Sequence, residues 1–224
     1  MRGLLVSVFS ILMVTAAHGV CPDPTPKVCS EFFRSDAVVL GDVASETEIP
    51  EANDFVEGWN YQLHVSRVFR GSVGRTIVVH TGNDSGRLRL EAGHQYVLFA
   101  TLVDGRLEIS DDCGPLSDPA HTPQTLREIE GLRTAQDASI EGEVRGRTGR
   151  GGEAPRITVT VLGMGKTYRT VSDSRGLFRV VVPPGHYRVD LDPKAVERFD
   201  LDPIDLGHVD LVKGQCAQIG LTAP

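Results

Sequence analysis

The stretch from residue 29 to residue 43 constrains the fold most strongly. In it, Cys29 and a short amphipathic turn lead directly into an apolar run. Residues 37–40 are all β-favouring and apolar, and Gly41 ends the run. Such a run is typical of a strand that is buried on most sides. We therefore expect it to be the first strand of a β-barrel, with the rest of the chain supplying partner strands and cross-links.

Residues 1–19 have the pattern of a secretory signal peptide. Arg2 supplies the positive end, residues 4–14 form an apolar core, and Ala17-His18-Gly19 is a small-x-small cleavage site. We expect the mature chain to begin at Val20. The apolar core is much shorter than the roughly 20 residues that cross a bilayer. The sequence thus predicts a secreted protein, extracellular or periplasmic, without membrane insertion.

Charge and cysteine content narrow the class of protein further. The net charge is −7, which argues against a nucleic-acid partner because phosphate binding needs a basic surface. Four cysteines follow the signal segment: Cys21, Cys29, Cys113 and Cys216. An even number in an exported chain predicts two disulfide bonds, and four cysteines permit three pairings.

Five or six short strands are predicted in the first half of the mature chain. Residues 59–65 alternate apolar and polar side chains, and Leu88 and Leu90 repeat that alternation. Asp104-Gly105 predicts a tight hairpin because both residues tolerate the positive φ angles of a type I′ turn. Residues 46–58 are acidic and lack an apolar period, which indicates a solvated loop.

One helix and a second β-rich region follow. Thr122 can cap a helix, Pro123 suits its first position, and Leu126, Ile129 and Leu132 fall on one face. After the linker at 136–138, seven strands with Gly and Pro turns predict a β-sandwich. These strands are expected at 140–144, 157–161, 167–171, 177–182, 187–191, 209–212 and 217–221, the last two forming a pair. The prediction is an all-β protein with domains at 20–136 and 137–224.

Several short motifs of the first domain match one known family. They are Cys29, Ser35-Asp36-Ala37-Val38-Val39-Leu40-Gly41-Asp42-Val43, Val68-Phe69-Arg70-Gly71, Gly93-x-x-Tyr96-Val97-Leu98 and Cys113. On these residues the domain resembles the netrin-like barrel of the tissue inhibitors of metalloproteinases, an OB-type fold. The resemblance implies a five- to six-stranded barrel with one packed helix. It also implies a Cys21–Cys113 bond and leaves Cys216 as the partner of Cys29, which would link the two domains.

The second domain resembles a different family. The matching motifs are Ile140-x-Gly142-x-Val144, Thr158-Val159-x-Val161, Ser172-Asp173-x-x-Gly176-x-Phe178 and Pro183-Pro184-Gly185-x-Tyr187. They are similar to those of carboxypeptidase-regulatory or transthyretin-like β-sandwich domains. This resemblance implies adhesion or scaffolding rather than chemistry.

We expect a secreted, non-enzymatic protein-binding or scaffold module, because no nucleophile, base and orienting group can be assembled from the motifs. The alternative is a metalloproteinase-inhibitor-like protein. The resemblance implies that its N-terminal arm would chelate the protease zinc through the α-amine and carbonyl of Cys21. The expected partner is accordingly an extracellular or periplasmic protein, with a metalloprotease as the alternative. A third hypothesis is an accessory domain pair for an exported enzyme.

The candidate binding residues lie in three places. Cys21 and Pro22 belong to the N-terminal arm, and Asp84 lies in the turn-forming segment 82–86. Trp59 and Tyr61 either line a groove on the barrel face or fill its core. Loops on a rigid barrel often carry recognition, which favours the segments 46–58 and 82–86 as contact surfaces.

No cofactor or metal centre is predicted. The histidines lack the spacing of zinc motifs; His64 and His80 are expected on strand surfaces, and His94 and His186 in turns. An acidic stretch near the C-terminus could be a solvated loop or a weak calcium site. Its aspartates are Asp200, Asp202, Asp205 and Asp210, with Asp190 and Asp192 nearby.

Overall fold

The computed structural model describes residues 26–50, 56–83, 88–109, 122–145, 156–199 and 208–222. They form twelve strands and three helices within these ranges. The helices are α1 (Val28–Arg34), α2 (Thr122–Thr134) and α3 (Pro193–Phe199). The strands are β1 (Ala37–Pro50), β2 (Val56–Arg70), β3 (Thr76–Gly82), β4 (Gln95–Val103), β5 (Arg106–Glu108), β6 (Ala138–Arg145), β7 (Thr158–Gly163), β8 (Lys166–Val171), β9 (Leu177–Val182), β10 (Gly185–Leu191), β11 (His208–Leu211) and β12 (Cys216–Thr222).

The first five strands close into a barrel in the order β1-β2-β3-β5-β4. β1 pairs antiparallel with β2 along its length and with β4 over residues 37–42. The seam that joins β3 to β5 is parallel and has only two residue pairs, Val79 with Leu107 and His80 with Glu108. The barrel wall is therefore much less extensively paired at this seam than between β1 and β2.

The turn between β4 and β5 has the predicted conformation. Val103 pairs with Arg106, which leaves Asp104 and Gly105 as the two turn residues. Both have positive φ angles, 48° and 81°. These values confirm the hairpin, since a type I′ turn requires positive φ at both central positions.

Two helices complete the barrel core. Ile129 of α2 is fully buried, as its predicted helical face requires, and Val28 and Phe32 of α1 join the same apolar cluster. The two helices contact each other, and both contact β4. The amphipathic turn expected after Cys29 is thus the helix α1, whose apolar side faces the barrel.

The other seven strands form two sheets around a second apolar cluster. One sheet has the order β11-β10-β7-β8 and the other the order β12-β6-β9. Alternation along β9 buries Phe178, Val180 and Val182 and leaves the intervening residues exposed. Seven strands in two sheets agree with the predicted all-β architecture of this region.

Four details differ from the sequence-based expectations. Residues 46–50 and 56–58 extend the β1–β2 hairpin rather than forming a loop. Leu88 and Leu90 are buried but lie in irregular structure. α3 was not expected from the sequence pattern. The last two strands belong to different sheets, because β11 pairs with β10 while β12 runs parallel to β6.

Candidate functional site

Several predicted site residues lie outside the described ranges. These are Cys21 and Pro22 of the arm, Asp84 of the 82–86 segment, and Cys113. The predicted Cys21–Cys113 bond and the arm-based contacts stay predictions. The signal peptide at 1–19 also lies outside these ranges.

Trp59 and Tyr61 point into the barrel. Tyr61 has no exposed surface and Trp59 is only 6% exposed, and both belong to the barrel core. The hypothesis of a surface groove lined by these rings is wrong, and the alternative that they fill the core is confirmed. Alternation along β2 explains the result, because both rings share the inward face with Leu63.

The junction between barrel and sandwich has the densest set of specific contacts among the candidate sites. A disulfide joins Cys29 on α1 to Cys216 at the start of β12, with Cα atoms 5.3 Å apart and a sequence separation of 187. This is the pairing that the family resemblance implies. It links an element of the barrel core to the sandwich.

Polar contacts surround this disulfide on the outer face of the β12-β6-β9 sheet. The backbone N–H of Lys27 donates a hydrogen bond to Oε1 of Gln218 at 2.8 Å. The Lys27 ammonium forms an ion pair with Glu141, and Arg179 Nε lies 3.1 Å from Glu141 Oε1. The hydroxyl of Ser139 donates to the same carboxylate at 2.9 Å. The start of α1 is therefore attached to the sandwich at adjacent points on β6 and β12, and Arg179 of β9 shares the Glu141 carboxylate with Lys27.

Glu141 is the electrostatic centre of the junction, and only 11% of its side chain is exposed. Burial raises the pKa of Glu141, but hydrogen bonds from Lys27 and Ser139 and the charges of Lys27 and Arg179 outweigh that effect and lower the pKa below its ordinary value of 4.5. The carboxylate is therefore ionised at neutral pH and fully paired. A buried carboxylate with this many partners serves structure rather than proton transfer.

A shallow depression of about 370 Å³ opens beside this cluster. It is lined by Lys27, Glu141, Gly142, Glu143, Asp173, Leu177, Phe178, Arg179 and Gln218. Its rim includes Asp173, whose carboxylate accepts hydrogen bonds from the backbone N–H groups of Leu177 and Arg175, which lower its pKa. Those bonds hold the β8–β9 turn in place.

The acidic stretch has structural partners where it is described. Asp190 pairs with Arg188 at 2.9 Å, Asp210 pairs with His186, and Asp192 accepts the backbone N–H of Lys194 at the start of α3. Asp200, Asp202 and Asp205 lie outside the described ranges. Across the described residues, no group of three or more His, Cys, Asp or Glu side chains could hold a metal ion.

The sequence motifs did not indicate the junction residues Lys27, Glu141 and Arg179. Lys27 and Glu141 are 114 residues apart, so no local spacing signals their pairing. No local signal was present either, because Ser139, Glu141 and Glu143 alternate along β6 as polar residues do on a strand with one solvent-facing side. No helix in the described parts of the chain is long and apolar enough to cross a membrane.

Comparison of the sequence with protein-family models and with curated proteins gives no match.

Proposed function

We propose that this protein is a secreted, non-enzymatic binding module in which the barrel and the sandwich act together as a scaffold for a protein partner. The observation that carries the proposal is the junction, where the Cys29–Cys216 disulfide and the ion pairs of Glu141 fix α1 on the sandwich sheet. Disulfide bonds of this kind are typical of exported proteins.

The junction restricts movement between the two β-structures for two reasons. The disulfide is a covalent tether between α1 and β12. Because it also closes a loop with a sequence separation of 187, it stabilises the fold against unfolding by about 5 kcal/mol in the chain-entropy model. The buried carboxylate of Glu141 also favours one arrangement, since separating it from Lys27 would leave it partly unpaired. A surface that spans both units then keeps its shape when a partner binds.

The surface that we propose for the partner lies beside the junction on β9. Leu177, Arg179 and Val181 alternate outward along this edge strand, and all three are exposed. Two apolar side chains flanking a guanidinium match the composition of protein interfaces, where Arg and apolar contacts are enriched. An extended partner segment with an acidic residue would pair with such an edge.

Site-specific photo-cross-linking tests this proposal. A photoreactive residue replaces Val181 in the mature chain, and in a matched control it replaces Val171, because the two valines are 55% and 56% exposed on edge strands of different sheets. We expect one exported protein to cross-link from position 181 and not from 171, and unlabelled wild-type protein to compete. Absence of a competed product at 181, or equal products at both positions, would contradict the proposal.

The alternative, inhibition of zinc endopeptidases, depends on Cys21 at a free N-terminus. We propose no mechanism for it, because Cys21 lies outside the described ranges. Sequencing the N-terminus of the exported chain and assaying a panel of zinc endopeptidases separates the two functions: a chain that begins at Cys21 and inhibits would favour the alternative.

A further inference from the structure

The barrel wall has a solvent-open cavity at the seam between β3 and β5. Its volume is about 510 Å³, within the range of about 300–1,000 Å³ that is usual for small-molecule sites. The cavity exists because β5 pairs with β3 only at Val79 and His80. In the described structure, residues 76–78 of β3 therefore have no strand partner on that side, and the turn at Gly105 borders the opening.

The chemical feature of this cavity is His80, which lines it. The residue is only 7% exposed, and its Nδ1 has no hydrogen-bond partner in the described structure. Its position in β3 agrees with the expected outward-facing site on the strand, but the expectation that His80 lies at the surface is wrong, because neighbouring residues bury the side chain. The ring covers Gly58, where an added Cβ would come within 2.7 Å of His80 Cε1. Buried polar atoms almost always have a partner, so an unpartnered Nδ1 points to a ligand.

Two further polar groups line the same cavity. Arg106 lines it too, and among the described residues its guanidinium contacts Oε1 of Glu108 at 3.3 Å. A guanidinium carries five N–H donors, so this contact leaves donors that no other described residue engages. The side-chain amide of Asn60 supplies further donors. A cation is disfavoured beside Arg106, and a single guanidinium that is shared with Glu108 suits a monoanion better than a phosphate dianion.

The other walls of the cavity are apolar and come from Val73, Ile77, Val78 and Leu107. Val78 is 55% exposed at its mouth. A ligand that fits must therefore join one anionic hydrogen-bonding group to an apolar body.

We propose that this cavity binds the carboxylate of a monoanionic ligand with an apolar body, in contact with His80, Asn60 and Arg106. The carboxylate accepts hydrogen bonds from the amide of Asn60 and the guanidinium of Arg106. It accepts one from Nδ1–H of His80 after rotation of the ring exposes that atom, which is buried in the described structure. The ligand is either a free carboxylic acid or the C-terminal carboxylate of a peptide that ends in an apolar residue. This site is separate from the junction and does not depend on the proposed protein partner.

NMR titration of the mature, oxidised chain tests the proposal and distinguishes the two sources. The probes are phenylacetate, the peptide N-acetyl-Ala-Ala-Phe with a free carboxyl group, the same peptide as its C-terminal amide, and inorganic phosphate. We expect saturable binding of one or both carboxylates with a shift of the His80 ring nitrogens. The peptide amide and phosphate should give no saturable shift of these nitrogens. Binding of phenylacetate alone identifies a free acid, whereas preference for the peptide acid identifies a chain terminus.

Two variants with matched controls locate the binding. Val78→Trp fills the mouth of the cavity and should abolish binding, whereas Val171→Trp, at an equally exposed valine on β8, should leave it unchanged. Arg106→Gln should weaken binding by roughly tenfold or more, the usual effect of losing a charge-assisted hydrogen bond. Its control is Arg175→Gln, because Arg175 also pairs with an acidic residue two positions away, at 3.4 Å.

The proposal is overturned if neither carboxylate saturates, if acid and amide bind equally, or if Val78→Trp folds and binds like wild type. If Val78→Trp does not fold, Arg106→Gln decides, since that exposed side chain can be changed without altering the core.

Discussion

Two buried polar side chains, Glu141 at the junction and His80 in the barrel wall, differ in whether their polar atoms have partners. Both are more than nine-tenths buried as residues. The Glu141 carboxylate contacts Lys27, Ser139 and Arg179. The Nδ1 atom of His80 has no partner within the described residues.

The difference follows from the number of neighbouring strands that pair beside each residue. Glu141 lies on the middle strand of a three-stranded sheet, so neighbouring strands and the start of α1 bring partners to it. His80 lies beside the shortest seam of the barrel, where β5 covers only two residues of β3. A paired polar group indicates a structural joint, and an unpaired one at a gap indicates a place for a ligand.

The largest expected effect concerns the junction. Replacing Cys29 and Cys216 together by serine should lower the free energy of unfolding by about 2–5 kcal/mol, because the unfolded chain regains the freedom of a long loop. Urea denaturation of the wild-type protein and the double variant measures the loss. Carboxylate binding in the barrel cavity should be unaffected. A stability equal to that of the wild type would show that the bond does not hold the two units together.

Next in size is an effect at the barrel wall. Gly58→Ala should lower the free energy of unfolding by about 1–3 kcal/mol, because the new methyl group would overlap the Thr81 carbonyl oxygen, only 2.3 Å from its Cβ, as well as the His80 ring. Gly131→Ala is the control: its Cβ would meet nothing within 4 Å on α2, and better helix propensity should add about 0.5–1 kcal/mol. Thermal unfolding of both variants checks the pair. An unchanged Gly58→Ala protein would mean that neither the Thr81 carbonyl nor the His80 ring packs closely over this glycine.

Replacing each of the two buried polar side chains should change the free energy of unfolding by different amounts. Glu141→Gln should cost about 1–2 kcal/mol, since it removes the charge that pairs with Lys27 and Arg179. His80→Leu should leave stability unchanged or raise it by up to about 1 kcal/mol, because it removes a buried polar atom that lacks a partner. Chemical denaturation measures both. Equal decreases in the free energy of unfolding would contradict the conclusion that Glu141 is paired and His80 is not.

The smallest expected effect is the pH dependence of the junction. The pKa of Glu141 is lower in the folded protein than its ordinary value of 4.5. Its stabilising contribution is therefore complete above that value and is lost as the pH falls through the folded-state pKa. The stability difference between wild type and Glu141→Gln should shrink on acidification from neutral pH. If the difference stays constant, protonation of the Glu141 carboxylate does not account for the stability that the junction loses at acidic pH.

Local chemistry predicted the elements that depend on neighbouring residues. Asp104-Gly105 specifies its own turn, and the spacing around Ile129 specifies a helix with one buried face. The extension of β1 to Pro50 was missed because that end of the hairpin lies beyond the core and pairs through its backbone, without an apolar period. Apolar alternation at Leu88 and Leu90 signalled burial correctly, but not a strand.

Neither functional proposal could be derived from spacing alone. The Lys27–Glu141 pair joins residues 114 positions apart. The importance of His80 arises from a gap between two strands, and a gap depends on the register of β5 rather than on any motif. Such features are properties of the assembled fold, and sequence periodicity reports only on the face to which each residue points.

Residual dipolar couplings offer the sharpest test of the scaffold hypothesis. If the junction fixes barrel and sandwich as one body, couplings from the core strands of both units in the oxidised protein fit a single alignment tensor, and reduction of the Cys29–Cys216 bond separates them into two. Two different tensors in the oxidised protein would contradict a fixed arrangement and, with it, the proposal that a partner binds across a preformed surface.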